Sequence, residues 1–259
     1  TNNFIYTENI YAGYFIYSNT IKEKLKYQVG FREEYVNSIA DQKTSSEKYN
    51  KEYFSLYPTF HLEHTLNKIN TLSLSYSRRV NRPSMFWVNP FINRSDSMNL
   101  SQGNPDLDPE YVNSYEFAHS LKYKKTNITS TIYYRLTEHA MTSVLTLRAD
   151  GVSESKYQNL DNRTSYGVEF VIAQELFKWW KMNGSFNFFD ISISGSKINT
   201  TENTDRSWNT KITSIFTYKK VDLNINFNYQ PSSLAAQGGT GFHGSSLGKT
   251  GVVYGLDAG

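Results

Sequence analysis

The chain has no cysteine. Disulfide scaffolds, thiol catalysis and cysteine-based zinc sites are therefore excluded. It also has no apolar run approaching about eighteen residues, so no transmembrane helix is expected. Clustered cations are missing too. The net charge is only +3, and Lys and Arg are scattered along the sequence. A nucleic-acid surface is not expected from such a pattern. No secretory leader opens the sequence. The last residues, Gly251-Val252-Val253-Tyr254-Gly255-Leu256-Asp257-Ala258-Gly259, read as a strand cut short. The chain is therefore expected to be a fragment of something longer.

What is abundant is aromatic. Aromatic residues make up 15% of the chain, with 20 Tyr and 16 Phe. Tyr, Phe and Thr favour strands, and Tyr and Trp also favour membrane–water boundaries. A mean hydropathy of −0.57 looks like that of a soluble protein. It does not exclude a membrane protein, because a transmembrane strand alternates lipid-facing apolar with lumen-facing polar residues.

That alternation recurs through the chain, giving about eleven strands. The first covers Glu8–Ser18, with Ile10, Ala12, Tyr14 and Ile16 on one face. The second, Lys24–Arg32, sets Leu25, Tyr27, Val29 and Phe31 against Lys24, Lys26, Gln28 and Arg32. A long polar loop is expected over Val36–Glu52. Phe54–His64 follows, weakened or bulged at Pro58, which cannot donate to a ladder. Then come Thr71–Arg78, a loop of about thirty residues, and Tyr115–Leu121. Asn127–Leu136 precedes a long segment, Glu138–Leu160, whose Thr142–Arg148 part would extend a hairpin outward. Tyr166–Ile172 and Met182–Phe188 flank a short aromatic turn. After a polar loop at Gly195–Arg206 come Ile212–Tyr218 and the cleanest pattern of all, Val221–Tyr229.

Strands of about ten residues match a tilted crossing of a bilayer. The connections alternate short and long. An outer-membrane barrel has short periplasmic turns and long outward loops, whereas a soluble sandwich has no such rhythm. Tyr123, Trp179, Trp180 and Tyr218 lie near the short turns, as an interfacial girdle requires. The expected fold class is all-β, a transmembrane antiparallel up-and-down β-barrel. Residues 1–259 would form part of one such domain.

The run SYSRRVNRPSMFWVNPF, followed by QGNPDLDPEYVNSYEFA, resembles the C-terminal barrel of TonB-dependent outer-membrane receptors. The outer-membrane β-barrel family of Bacteroidetes-type bacteria is the nearest likeness. Gly103-Asn104-Pro105-Asp106-Leu107-Asp108-Pro109-Glu110, with Tyr115-Glu116-Phe117 after it, is its most specific piece. Lys26-Tyr27-Gln28-Val29-Gly30-Phe31-Arg32-Glu33 resembles an earlier strand end of the same family. The resemblance implies a barrel of about 22 strands in the outer membrane of a Gram-negative bacterium. It implies a lumen filled by a plug domain and uptake of a scarce ligand, such as an iron chelate, an oligosaccharide or a peptide. An energy-coupling protein would drive that uptake from the inner membrane. The plug and signal sequence have no counterpart here, and a surface lipoprotein partner is left open. On residues alone, Gly103–Glu110 has a plainer role. Its two X-Pro steps hold the chain extended and steer a long outer loop back into the wall.

Few residues suggest chemistry. His61-Leu62-Glu63-His64 has the wrong spacing for a zincin, and on a strand His64 points away from His61 and Glu63. No metal or other cofactor is expected. Gly244-Ser245-Ser246-Leu247-Gly248-Lys249-Thr250 is one residue short of a phosphate-binding loop. His119 falls on the lipid-facing register, a poor place for a base, and no catalytic set including it or His139 stands out. The best binding candidate is the loop Arg78–Arg94. There Arg78, Arg79, Arg82 and Arg94 interleave with Trp87 and Phe91. These residue types suit sugars, carboxylates or flat chelators. Equally, Trp87 and Phe91 with Pro83 could pack the loop against its neighbours. A non-transporting barrel for surface assembly or adhesion, a barrel-embedded hydrolase and a soluble sandwich are the alternatives, in that order.

Overall fold

A computed structural model describes residues 2–195, 200–219, 221–230 and 253–258. One antiparallel sheet dominates it. The eleven strands of that sheet are β1 (Phe4–Ile21), β2 (Leu25–Gln42), β3 (Glu47–Thr65), β4 (Asn70–Asn81), β6 (Glu110–Tyr123), β7 (Thr126–Glu138), β10 (Asn162–Phe177), β11 (Trp180–Gly195), β12 (Thr200–Tyr218), β13 (Val221–Tyr229) and β14 (Val253–Ala258), each beside the next. The connection from β4 to β6 contains the short helix α1 (Met85–Val88) and β5 (Asn99–Gln102). The connection from β7 to β10 contains β8 (Met141–Leu147) and β9 (Ser153–Asn159). These three strands make a small separate sheet in the order β5-β9-β8. Every strand read from alternation therefore lies in the large sheet, and the Thr142–Arg148 segment forms an outward hairpin.

The register explains the alternation. One lateral row runs Val29, Phe60, Tyr76, Tyr115, Tyr134 and Tyr166 from β2 to β10. A neighbouring row on the same face runs Leu62, Leu74, Phe117, Ile132, Val168 and Phe188. On the opposite face, Lys26, Glu63, Ser73, Ala118, Thr131, Glu169 and Asn187 line up in the same way. One face thus suits hydrocarbon and the other suits a wet or plugged bore. β1 departs from this rule. Its Ile10, Ala12, Tyr14 and Ile16 pair with Val36, Glu34, Arg32 and Gly30 and so belong to the polar face. Tyr11, Phe15 and Tyr17 lie on the other face, leaving β1 apolar on both.

Two expectations are corrected and a third, weakening or a bulge at Pro58, is narrowed to weakening. Val36–Glu52 is not a loop, because β2 and β3 pair continuously from Leu25 to Gln42 with only 43–46 between them. Val36, Ala40 and Gln42 are buried there, under a loop that covers their face. That cover lets a half-polar segment persist as a strand. Gly195–Arg206 is likewise mostly strand, since β12 begins at Thr200. The expected short–long rhythm is therefore carried partly by strands that overshoot the bilayer. Pro58 pairs with Phe31 without a register shift, so no bulge forms. Instead, pairing of β3 with β4 covers only Thr59–Thr65, ending where Pro58 begins.

Candidate functional site

The β4–β6 connection folds back across the polar face of β1–β3 at the outer end of the sheet. Its two legs are tied down. On the first leg, Arg82 forms an ion pair with the buried Glu34, which also meets Arg32. Arg82 Nε donates to the Tyr53 hydroxyl at 3.1 Å. These bonds outweigh partial burial and hold the Arg82 guanidinium above its ordinary pKa. Trp87 stacks on Tyr157 of β9 at 4.6 Å between ring centres.

The second leg is the Gly103–Glu110 motif. The Gly103 amide donates to the Asn89 carbonyl at 3.0 Å, and the Asn104 amide donates to that of Trp87 at 2.6 Å. A Cβ on Gly103 would stand 2.4 Å from the Asn89 carbonyl oxygen, so only glycine fits. Lys51 Nζ donates to the carbonyls of Asp106 at 3.0 Å and Leu107 at 2.7 Å, and pairs with the Asp108 carboxylate at 2.6 Å. Asn159 of β9 accepts from the Asp108 amide at 2.8 Å and donates to the Asp108 carbonyl at 2.9 Å. Leu107, 1% exposed, packs with Val88 and Met141 against Phe4, Tyr6, Trp87 and Tyr157. Between the loop and the sheet, beside Tyr6, Ala40 and Tyr53, about 20 Å³ of space remains, room for about one water. The motif is a structural re-entry, and the loop it closes is a packed cap.

The six candidate binding residues do not form one site. Arg78 pairs with Glu138 at 2.8 Å, donates to Asn113 at 3.1 Å and lies over the Tyr111 ring. Arg82 and Trp87 are anchors, as described. Arg79 is exposed and makes no ion pair among the described residues. Phe91, 39% exposed, and Arg94 lie together at the loop tip. They line a groove of about 830 Å³ with Gln42, Glu47, Ile92 and Gln102. Gln42 and Glu47 join this groove from the ends of β2 and β3, where the sequence pointed to a long polar loop. The expectation of packing thus holds for Trp87, while Phe91 and Arg94 face an open groove.

The remaining motifs fall elsewhere. His61 and Glu63 share the bore face, where Glu63 pairs with Lys26 at 2.9 Å, and His64 lies on the opposite face. Among the described residues, no three His, Asp or Glu side chains come together as a metal site would need. His119 meets Asn70 at 2.9 Å on the lipid-facing row. Gly244–Thr250 lies outside the described residues.

A sheet whose polar face carries an inward-folded cap, and whose apolar face is continuous, is a segment of an outer-membrane barrel wall. The chain belongs to the outer membrane protein beta-barrel family, whose sequence pattern matches residues 1–248. It is accordingly a protein of the Gram-negative outer membrane. No curated protein matches the sequence. Its fold is similar to the siderophore receptor PirA from Pseudomonas aeruginosa, with TM-score 0.62 and 11% identity over 98% of this chain and 51% of PirA. It is also similar to the hemophore receptor HasR of Serratia marcescens, solved with its hemophore HasA and heme. There the TM-score is 0.65 and the identity 10%, over 97% of this chain and 45% of HasR. A third is the ferric-catecholate import receptor Fiu of E. coli K12, with TM-score 0.63 and 12% identity over 88% of this chain and 35% of Fiu. The chain spans about half the length of these structures or less.

Proposed function

We propose that this chain is part of the barrel of a TonB-dependent-type receptor that imports a scarce extracellular ligand and catalyses no reaction. A plug domain and an energy-coupling protein are the partners this reading requires. The barrel would close with about 22 strands. The observation that carries the proposal is the cap. It covers the polar face of β1–β3 at the outer end of the sheet and, among the described residues, leaves a groove lined by Phe91 and Arg94. An aromatic ring beside a guanidinium fits a ligand that is flat or carries carboxylates. This favours an iron chelate or an acidic oligosaccharide or peptide.

Transport assays on cells that carry or lack the full-length protein test this. The probes are a ferric catecholate, an acidic oligosaccharide mixture and a tryptic peptide mixture, each radiolabelled. Accumulation of one of them should depend on the protein and collapse when the inner-membrane proton gradient is dissipated. Surface adhesion or assembly defects without any such accumulation would move the protein to the non-transporting class.

A further inference from the structure

The two ends of the sheet differ in charge balance. Five turns mark the inner end: 22–24, 66–69, 124–125, 178–179 and the one that opens at Lys219. Their described residues carry seven lysines and one acid, Glu23. No arginine lies in or beside any of them. The long outward connections are balanced differently. Residues 82–109 hold Arg82 and Arg94 against Asp96, Asp106 and Asp108, and residues 139–161 hold Arg148 and Lys156 against Asp150, Glu154 and Asp161. The inner rim is therefore strongly cationic, while these outer loops lean acidic.

Backbone geometry makes the lysines conspicuous. Lys22, Lys124 and Lys219 have φ of 49°, 52° and 56°. Such left-handed turn positions are normally filled by Gly, Asn or Asp, which tolerate them. Three turns out of five hold Lys instead, so local folding preference does not explain the choice. The neighbours supply the context. Lys124 Nζ lies 5.2 Å from the Tyr123 ring centre, and Lys219 Nζ lies 5.5 Å from that of Tyr218. Tyr123 and Tyr218 both stand on lipid-facing rows. Trp179 and Trp180 stack with Phe177 and Phe216 at the same level. Aromatic rings at this depth fix where the bilayer surface meets the protein. Lysines one residue beyond them sit among headgroups, within a Debye length of the phosphates.

We infer that the inner rim is a binding ring for anionic phospholipid headgroups of the periplasm-facing leaflet, with Lys22, Lys124 and Lys219 as its contacts. The ring would fix the depth and tilt of the barrel by charge, beside the aromatic girdle that fixes it by partition. Lys125 and Lys26 contribute less, because Glu175 and Glu63 already neutralise them.

Native mass spectrometry of the full-length protein in mild detergent tests this. The probes are phosphatidylglycerol and phosphatidylcholine at equal concentration, with lipid A as a separate arm. The wild-type protein should retain phosphatidylglycerol selectively. The triple variant Lys22→Asn, Lys124→Asn, Lys219→Asn should lose that preference by on the order of a hundredfold, about fivefold per charge. Asn suits the left-handed backbone, so this variant should still fold and keep its heat-dependent gel mobility. Lys→Arg at the same three positions should preserve the preference. An unchanged preference in the Asn variant would overturn the inference and leave the lysines as turn residues only. So would a wild-type protein that retains the two phospholipids equally. Loss of lipid A in step with phosphatidylglycerol would overturn the assignment to the inner leaflet.

Discussion

The loop between β4 and β6 sets two regions against each other, its legs and its tip. Its legs, Arg82–Val88 and Gly103–Pro109, are mostly tied to β2, β3 and β9 by ion pairs, backbone hydrogen bonds and a small apolar cluster. Its tip, around Phe91 and Arg94, stands over an open groove. The first leg and the tip both mix arginine with aromatic residues, Arg82 with Phe86 and Trp87, and Arg94 with Phe91. What separates them is whether the surroundings supply a partner. Glu34 and Tyr53 claim Arg82, and Tyr157 claims Trp87. Nothing among the described residues pairs with the Arg94 charge. The legs are therefore held, and the tip is the part left for the recognition proposed above.

The contrast breaks most readily at Leu107. Leu107→Ala removes the most buried side chain of the cap and should destabilise the legs by about 2–5 kcal/mol. Limited proteolysis should then cut within residues 90–102 much faster, while the heat-dependent gel mobility of the barrel stays as it was. Unchanged cleavage would mean that the legs do not hold the tip. Arg82→Met comes next. It removes charge-assisted bonds to Glu34 and Tyr53 while Arg32 still faces Glu34, so a loss of about 1.5–3 kcal/mol is expected by the same assay. A pH series gives a milder loosening. Burial against Trp87 pushes the Tyr157 hydroxyl above the ordinary tyrosine pKa. The neutral ring is thus favoured in the folded cap. Its contribution is complete below the ordinary tyrosine pKa and is lost as pH rises through the higher folded value. Cleavage of the tip should accelerate only in that alkaline range, and Tyr157→Phe should reduce the acceleration without removing it, because burial also raises Tyr6 and Tyr53 beside the cap.

The wall was legible because its code is local. A period of two with polar and apolar faces assigns each strand without tertiary information, and Val221–Tyr229 shows it cleanly. Two things were not legible. Val36–Gln42 looks like a loop because its alternation is weak, and it is a strand because the cap buries one face. The split among the six candidate residues was hidden for a related reason. Arg78, Arg82 and Arg94 are alike in sequence, and their partners Glu138, Glu34 and the open groove come from distant positions. Within the loop, the Gly103–Glu110 run announced its role beforehand, since its two X-Pro steps point to an extended re-entry into the wall, whereas the close backbone approach at Gly103 emerges only from the fold.

The smallest structural effect should come from the tip itself. Among the described residues, Phe91 and Arg94 make no buried contact of the kind that holds Leu107 or Arg82. The double variant Phe91→Ser, Arg94→Gln should therefore change cap stability by no more than about 0.5 kcal/mol, and tip cleavage should match the wild type. Transport should behave oppositely. Losing one ring face and one guanidinium removes the two groups best placed to hold a flat or acidic ligand, so accumulation of the transported probe should fall while surface abundance stays constant. If accumulation is unaffected, recognition lies elsewhere, and exposed Arg79 on the outer rim becomes the next position to test. A double variant that instead opens the cap would show that tip and legs are one unit, and the division between holding and recognising would not survive.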